Sequence, residues 1–137
     1  MFTTIQKGEI AQLKIQLRAT EKGVTVSRPT TDARYDAILD LNGILKRVQI
    51  KYAGTETTNS TGSIVIRLQK KTKTKNAKVK NYTLHEIDAV LAYLPSVDEV
   101  VWLEPEFFHN KSCVCIRIVP AKNGQEKNIL NLSEVIW

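Results

Sequence analysis

The stretch Tyr35-Asp36-Ala37-Ile38-Leu39-Asp40-Leu41-Asn42-Gly43-Ile44-Leu45-Lys46-Arg47-Val48-Gln49-Ile50-Lys51-Tyr52 decides how this chain folds. Two apolar-rich runs meet at Asn42-Gly43. A two-residue type I′ turn needs positive φ at both centres, which Asn and Gly supply. The stretch therefore predicts a β-hairpin, Tyr35–Leu41 paired with Ile44–Ala53. Pairing Leu41 with Ile44 and counting outward sets Asp36 directly opposite Gln49. Directly paired residues share a face, with Cβ atoms roughly 5 Å apart. Lys51 returns to that face two residues later, as a diagonal neighbour of Asp36. A carboxylate, an amide and an ammonium are thus expected on one patch.

Before the hairpin, residues 4–21 carry Ile10, Leu13 and Leu17 at helical spacing, with Lys14, Arg18 and Glu21 expected to face away. Thr3 and Gln6 have the spacing of a capping box, and Gly23 is a fitting terminator. Val24–Ser27 reads as a short strand stopped by Pro29. After the hairpin, residues 53–62 are polar and hydroxyl-rich and read as a loop. Ser63–Gln69 alternates as a strand with Ile64, Ile66 and Leu68 on one face. The lysine-rich stretch to Asn81 is expected to be exposed or mobile. Residues 84–94 suit either a helix or a turn followed by a buried strand, and the second is preferred here. Val100–Leu103 and Ser112–Val119 read as strands, and Ile129–Trp137 as a segment packing at an edge or an interface. This order predicts an α/β (α+β) chain, one domain over 1–137, with a central mixed β-sheet flanked by helix.

Composition is that of an ordinary globular protein, 42% apolar and 25% charged. No apolar run approaches the ~20 residues of a membrane span, and residues 1–7 lack the apolar core of a signal peptide. Cys113 and Cys115, two apart in an apolar run, read as reduced packing residues. Together these point to a cytoplasmic setting with no membrane partner. The formal charge is +6, and its distribution is uneven. Arg67, Lys70, Lys71, Lys73, Lys75, Lys78 and Lys80 fall in one run without an acid, whereas Asp98, Glu99, Glu104 and Glu106 cluster elsewhere. One basic flank opposite an acidic one suits a polyanion bound on one side.

The hairpin patch has the groups that phosphodiester hydrolysis needs: oxygen ligands for a hard cation, and a fixed positive charge near the phosphate. Magnesium takes only one or two protein carboxylates and keeps several waters. Asp36 supplies a carboxylate, and Gln49 can add its neutral carbonyl oxygen. Lys51 can orient an attacking water or offset charge on the phosphate. Glu9, the only acid in the first helix before Glu21, is the candidate second carboxylate. The alternative is an ordinary solvated hairpin face, as Asp40 on the same face is expected to be.

With Lys7-Gly8-Glu9 at the helix head, Tyr35-Asp36 opening the hairpin and Arg47-Val48-Gln49-Ile50-Lys51-Tyr52 closing it, the chain resembles the PD-(D/E)XK nuclease superfamily. The nearest likeness is to the small homing endonucleases encoded in bacterial group I introns. The resemblance implies a restriction-endonuclease-like core with the active site on the hairpin. It makes Asp36 the motif's metal-binding aspartate, Lys51 its lysine and Glu9 the helix acid, with Gln49 as a further catalytic residue and metal ligand. It implies Mg2+ as cofactor, with Ca2+ able to occupy the site without supporting cleavage. Two positions depart from the pattern. Tyr35 replaces a proline that the superfamily varies freely, and Gln49 stands where most members carry Asp or Glu. The second change implies altered metal chemistry with activity retained.

The expected function is sequence-specific cleavage of double-stranded DNA. The lysine run would contact the backbone, giving steep salt dependence. Arg28, Arg34, Arg67 and Gln69 are candidates for base readout, since arginine reads guanine and glutamine reads adenine bidentately. A chain of this length has a radius of gyration of roughly 14 Å and covers on the order of 10 base pairs. Cutting both strands of a long site therefore asks for a homo-oligomer, a dimer at least or a tetramer. Such a protein would be nucleoid-associated when bound to DNA. The alternatives are a Holliday-junction resolvase or repair-type nuclease on the same fold, and a non-catalytic DNA-binding module. His85 and His109 lack the framework of an HNH site, and Tyr52, Tyr82, Trp102 and Trp137 read as core or interface residues.

Overall fold

The computed structural model describes residues 1–54, 56–57, 60–71, 79–119 and 130–137. Helix α1 (Thr4–Glu21) is followed by strand β1 (Thr25–Ser27) and the hairpin β2 (Ala37–Leu41) and β3 (Ile44–Tyr52). Then come β4 (Glu56–Thr57), β5 (Ser60–Arg67), β6 (Gln69–Lys71) and β7 (Val79–Asn81). The buried strand β8 (Ala89–Leu94) and β9 (Glu99–Leu103) lead to the short helix α2 (Pro105–Phe108). Strand β10 (Cys113–Arg117), strand β11 (Leu130–Asn131) and helix α3 (Leu132–Val135) complete the order.

Five strands form the central sheet in the order β1-β2-β3-β8-β9. It is mixed, because β3 and β8 run parallel while the other pairs are antiparallel. The hairpin register follows the turn: Leu41 faces Ile44 and Ala37 faces Val48, with positive φ at Asn42 and Gly43. The Asp40 carboxylate accepts the Gly43 N–H at 2.6 Å, so this residue pins the turn. Strand β8 is buried throughout, as a parallel strand covered on both faces must be. Its Ala89, Leu91 and Tyr93 pack toward α1, and its Val90, Ala92 and Leu94 toward a second sheet of order β11-β10-β5-β4. The result is three layers: helix, mixed sheet, second sheet. Arg47 braces β3 to the entry of β8, its guanidinium and its backbone N–H both bonding Asp88.

Helix α1 starts on the expected capping box of Thr3 and Gln6, but its buried face is not the one that leucine spacing predicts. Ala11, Ile15 and Ala19 are fully buried, while Leu13 and Leu17 are 54% and 57% exposed. The sheet face below already carries Leu39, Val48, Leu91 and Tyr93. Small side chains let the helix lie close on that surface, whereas the leucines would hold it off. Lys14 and Arg18 consequently do not face away. Lys14 pairs with Asp98 at 2.8 Å, and Arg18 with Glu99 at 3.2 Å and the Trp137 carbonyl.

Two further expectations change. The predicted loop over 53–62 contains β4 and the start of β5. Cys113 and Cys115 are free thiols on the exposed face of β10, not packing residues. The C-terminal segment packs at an edge as expected: it forms α3 and then bridges the edge strand β9, with Ile136 opposite Val101. Part of the lysine run forms the two-stranded ribbon β6–β7, in which Lys70 faces Lys80; Lys73, Lys75 and Lys78 lie outside the described residues. Among the described residues, no helix is long and apolar enough to cross a membrane.

Candidate active site

Alternation along β3 divides its residues between two environments. Val48, Ile50 and Tyr52 lie under α1, while Gln49 and Lys51 point to the opposite face. At that face the hairpin brings Asp36 and Gln49 into contact. The Gln49 side-chain amide donates to Asp36 Oδ2 at 2.8 Å. Only the amide nitrogen can donate to a carboxylate, so its carbonyl oxygen takes the other corner of the planar group.

The same carboxylate oxygen accepts the Ile50 backbone N–H at 2.8 Å. Ile50 lies an even number of residues from Ile44 and Val48, so its N–H points sideways toward β2. That strand ends at Ala37, and the Asp36 side chain fills the next rung of the ladder. Asp36 N–H itself donates to the Val48 carbonyl at 2.9 Å. The aspartate is thus held at its backbone and at its side chain.

Lys51 crosses to a residue that sequence spacing did not single out for the site. Its ammonium donates to the Tyr82 hydroxyl at 2.9 Å and lies 5.0 Å from that ring's centroid. Tyr82 is fully buried. Burial pushes its phenol up to about 12, with the nearby Asp36 charge acting in the same direction. Arg34, expected to contact DNA, pairs with Glu86, and its guanidinium lies 6.0 Å from the Tyr82 ring centroid. Glu86 also accepts from Thr83 at 3.0 Å. The missed signal was Tyr82's place at the end of the basic ribbon, one residue beyond Asn81.

Glu9 is exposed on α1, on the other side of the sheet from Gln49 and Lys51. The Lys7 ammonium lies 5.9 Å from the Tyr52 ring centroid. The first turns of α1 therefore stand over the end of β3, at the same end of the sheet as Asp36. Of the expected DNA-contacting residues, Arg28 and Arg67 are exposed. Arg28 bonds Gln16 at 3.1 Å, and Gln69 bonds Asn81 across the ribbon at 3.1 Å. His85 and His109 are both exposed.

The donors gathered here are oxygens, a carboxylate and an amide carbonyl, without thiol or imidazole. Among the described residues no group of three or more His, Cys, Asp and Glu side chains could hold a metal ion. Oxygen donors of this kind suit a hard cation that keeps most of its own water.

A family model described as PD-(D/E)XK endonuclease matches residues 2–135. The fold is similar to that of the bacterial homing endonuclease I-Ssp6803I, with a TM-score of 0.75 and 26% identity over 92% of this chain and 84% of that one. A search of curated proteins found no significant match.

Proposed function

Because the chain belongs to the PD-(D/E)XK endonuclease family, we propose that it is a magnesium-dependent, sequence-specific endonuclease of homing type that breaks both strands of duplex DNA. The observation that carries this reading is the Asp36–Gln49 contact at the end of β2, beside the Lys51 ammonium on the same face of β3. Asp36 and Gln49 would hold the cation through the carboxylate and the amide carbonyl, and Glu9, on α1 at the same end of the sheet, would serve as the second acid through a water on that cation. A bound divalent cation supplies Lewis-acid stabilisation of charge on the scissile phosphate.

The protein's own groups do the rest. Lys51 places a fixed positive charge beside the phosphate and orients the attacking water. Asp36, locked by the Val48 carbonyl and the Ile50 N–H, holds its ligand position without waiting for substrate. Ribbon β6–β7 runs directly into Tyr82, so a DNA backbone crossing it passes next to the site, and Lys70, Lys71, Lys73, Lys75, Lys78 and Lys80 are assigned to backbone contacts. Arg67 and Gln69 at the ribbon's base, with Arg28, are assigned to base contacts, and Arg34 to the Tyr82 side of the site. Two sites related by a dyad are needed to cut both strands, so the working form is a homodimer at least.

The test is cleavage mapping on linear duplex carrying the DNA that flanks the gene's own insertion point. Mg2+ should give a discrete double-strand break, and Ca2+ should give binding without cutting. Cleavage undiminished in EDTA would overturn the metal assignment. Preferential cutting of a four-way junction over the linear duplex would reassign the enzyme to junction resolution.

A further inference from the structure

We propose that Tyr82 is the positioning residue for Lys51, its phenol oxygen holding the ammonium at one place beside Asp36. This rests on the reading of Lys51 as the site's cation. A lysine side chain is long and rich in rotamers, so an ammonium that must meet a phosphate in one orientation needs a partner. The phenol oxygen receives an ammonium proton at 2.9 Å. The ammonium lies 5.0 Å from the ring centroid, out beyond the hydroxyl, so the oxygen is the group that holds it.

The phenol is itself fixed. Tyr82 is fully buried in the core between the two sheets, and the Arg34–Glu86–Thr83 group borders it. Without the hydroxyl, the flexible lysine samples several orientations, and its charge meets the phosphate in only some of them. Tyr82 is neutral and buried, so it can hold the lysine without competing for a cation.

Tyr82→Phe keeps the ring and removes only the oxygen. With a plasmid carrying the mapped cleavage site, its kcat should fall about 10- to 100-fold, as small misplacements of reacting groups do. KM and Ca2+-supported DNA affinity should stay within about twofold. Tyr52→Phe, on the α1 face of the same sheet, should cut at the wild-type rate. A second measurement needs no cleavage: methylene 13C relaxation of labelled lysines in the free protein, with Lys51 assigned by its loss in Lys51→Arg. The Lys51 ε-methylene should be ordered in the wild type and mobile in Tyr82→Phe.

A folded Tyr82→Phe protein with wild-type kcat overturns the proposal. So does a Lys51 ε-methylene that is already mobile in the wild type, or a loss expressed in KM alone. If the wild-type protein cuts no DNA, the proposed function fails, and the relaxation measurement still decides whether Tyr82 holds Lys51.

Discussion

The two faces of strand β3 are one residue apart in sequence and belong to different problems. Under α1, Val48, Ile50 and Tyr52 join Ala11, Ile15 and Ala19 in an apolar layer closed by alanines. On the opposite face, Gln49 is 9% exposed, and a buried amide is costly unless it is hydrogen-bonded. Asp36 gives it that partner, so the polar face is kept affordable by the contact that also assembles the candidate site. A strand's period of two thus lets stability and chemistry be tuned separately, since each face can change without displacing the other.

The largest expected effect comes from breaking the polar face. Asp36→Ala or Lys51→Ala should lower cleavage by about a thousandfold or more, the scale of removing a preorganised charge from a transition state. DNA binding measured in Ca2+ should persist. Undiminished cutting by either variant would remove that residue from the site. On the other face, Ala11→Leu should cost about 1–3 kcal/mol through overpacking, read as a lower Tm, with cleavage at low temperature unchanged. Lost cleavage without a change in Tm would mean that the two faces are coupled.

Gln49→Glu should have a small effect on cutting and the most specific one. It places a second carboxylate where the amide now donates to Asp36 at 2.8 Å, so the cation-free protein gains a like-charge repulsion. Cleavage should be retained with a changed metal requirement, and added divalent cation should raise the Tm more than in the wild type. Complete loss of cutting would show that the glutamine does more than lend an oxygen.

The hairpin could be read closely from sequence because its information is local. Asn42-Gly43 sets the turn, the turn sets the register, and the register brings Asp36 to Gln49. Strand β8 was legible for a related reason: a short run buried on both faces suits a parallel strand better than a one-sided helix. What escaped was set by packing partners far away in sequence. Whether α1 buries its leucines or its alanines depends on how full the sheet face beneath it is, and spacing carries no trace of that. The exposure of Cys113 and Cys115 likewise depends on which face of β10 meets the core. Tyr82 was read as a core residue, which it is; its contact with Lys51 spans 31 positions and leaves no local mark.

Asp36 does two jobs with one oxygen, and this matters for how the protein can change. By taking the Ile50 N–H, the carboxylate works as the end stop of a zipper, closing the hydrogen-bond row where β2 runs out. Asp36→Ala should therefore open the sheet's end by about 1 kcal/mol as well as remove a charge. Asp36→Asn can keep an acceptor for that N–H while losing the charge. A lineage losing nuclease activity has a cheap route through asparagine and a costly one through alanine, so an inactive descendant could keep this hairpin intact long after it stopped cutting.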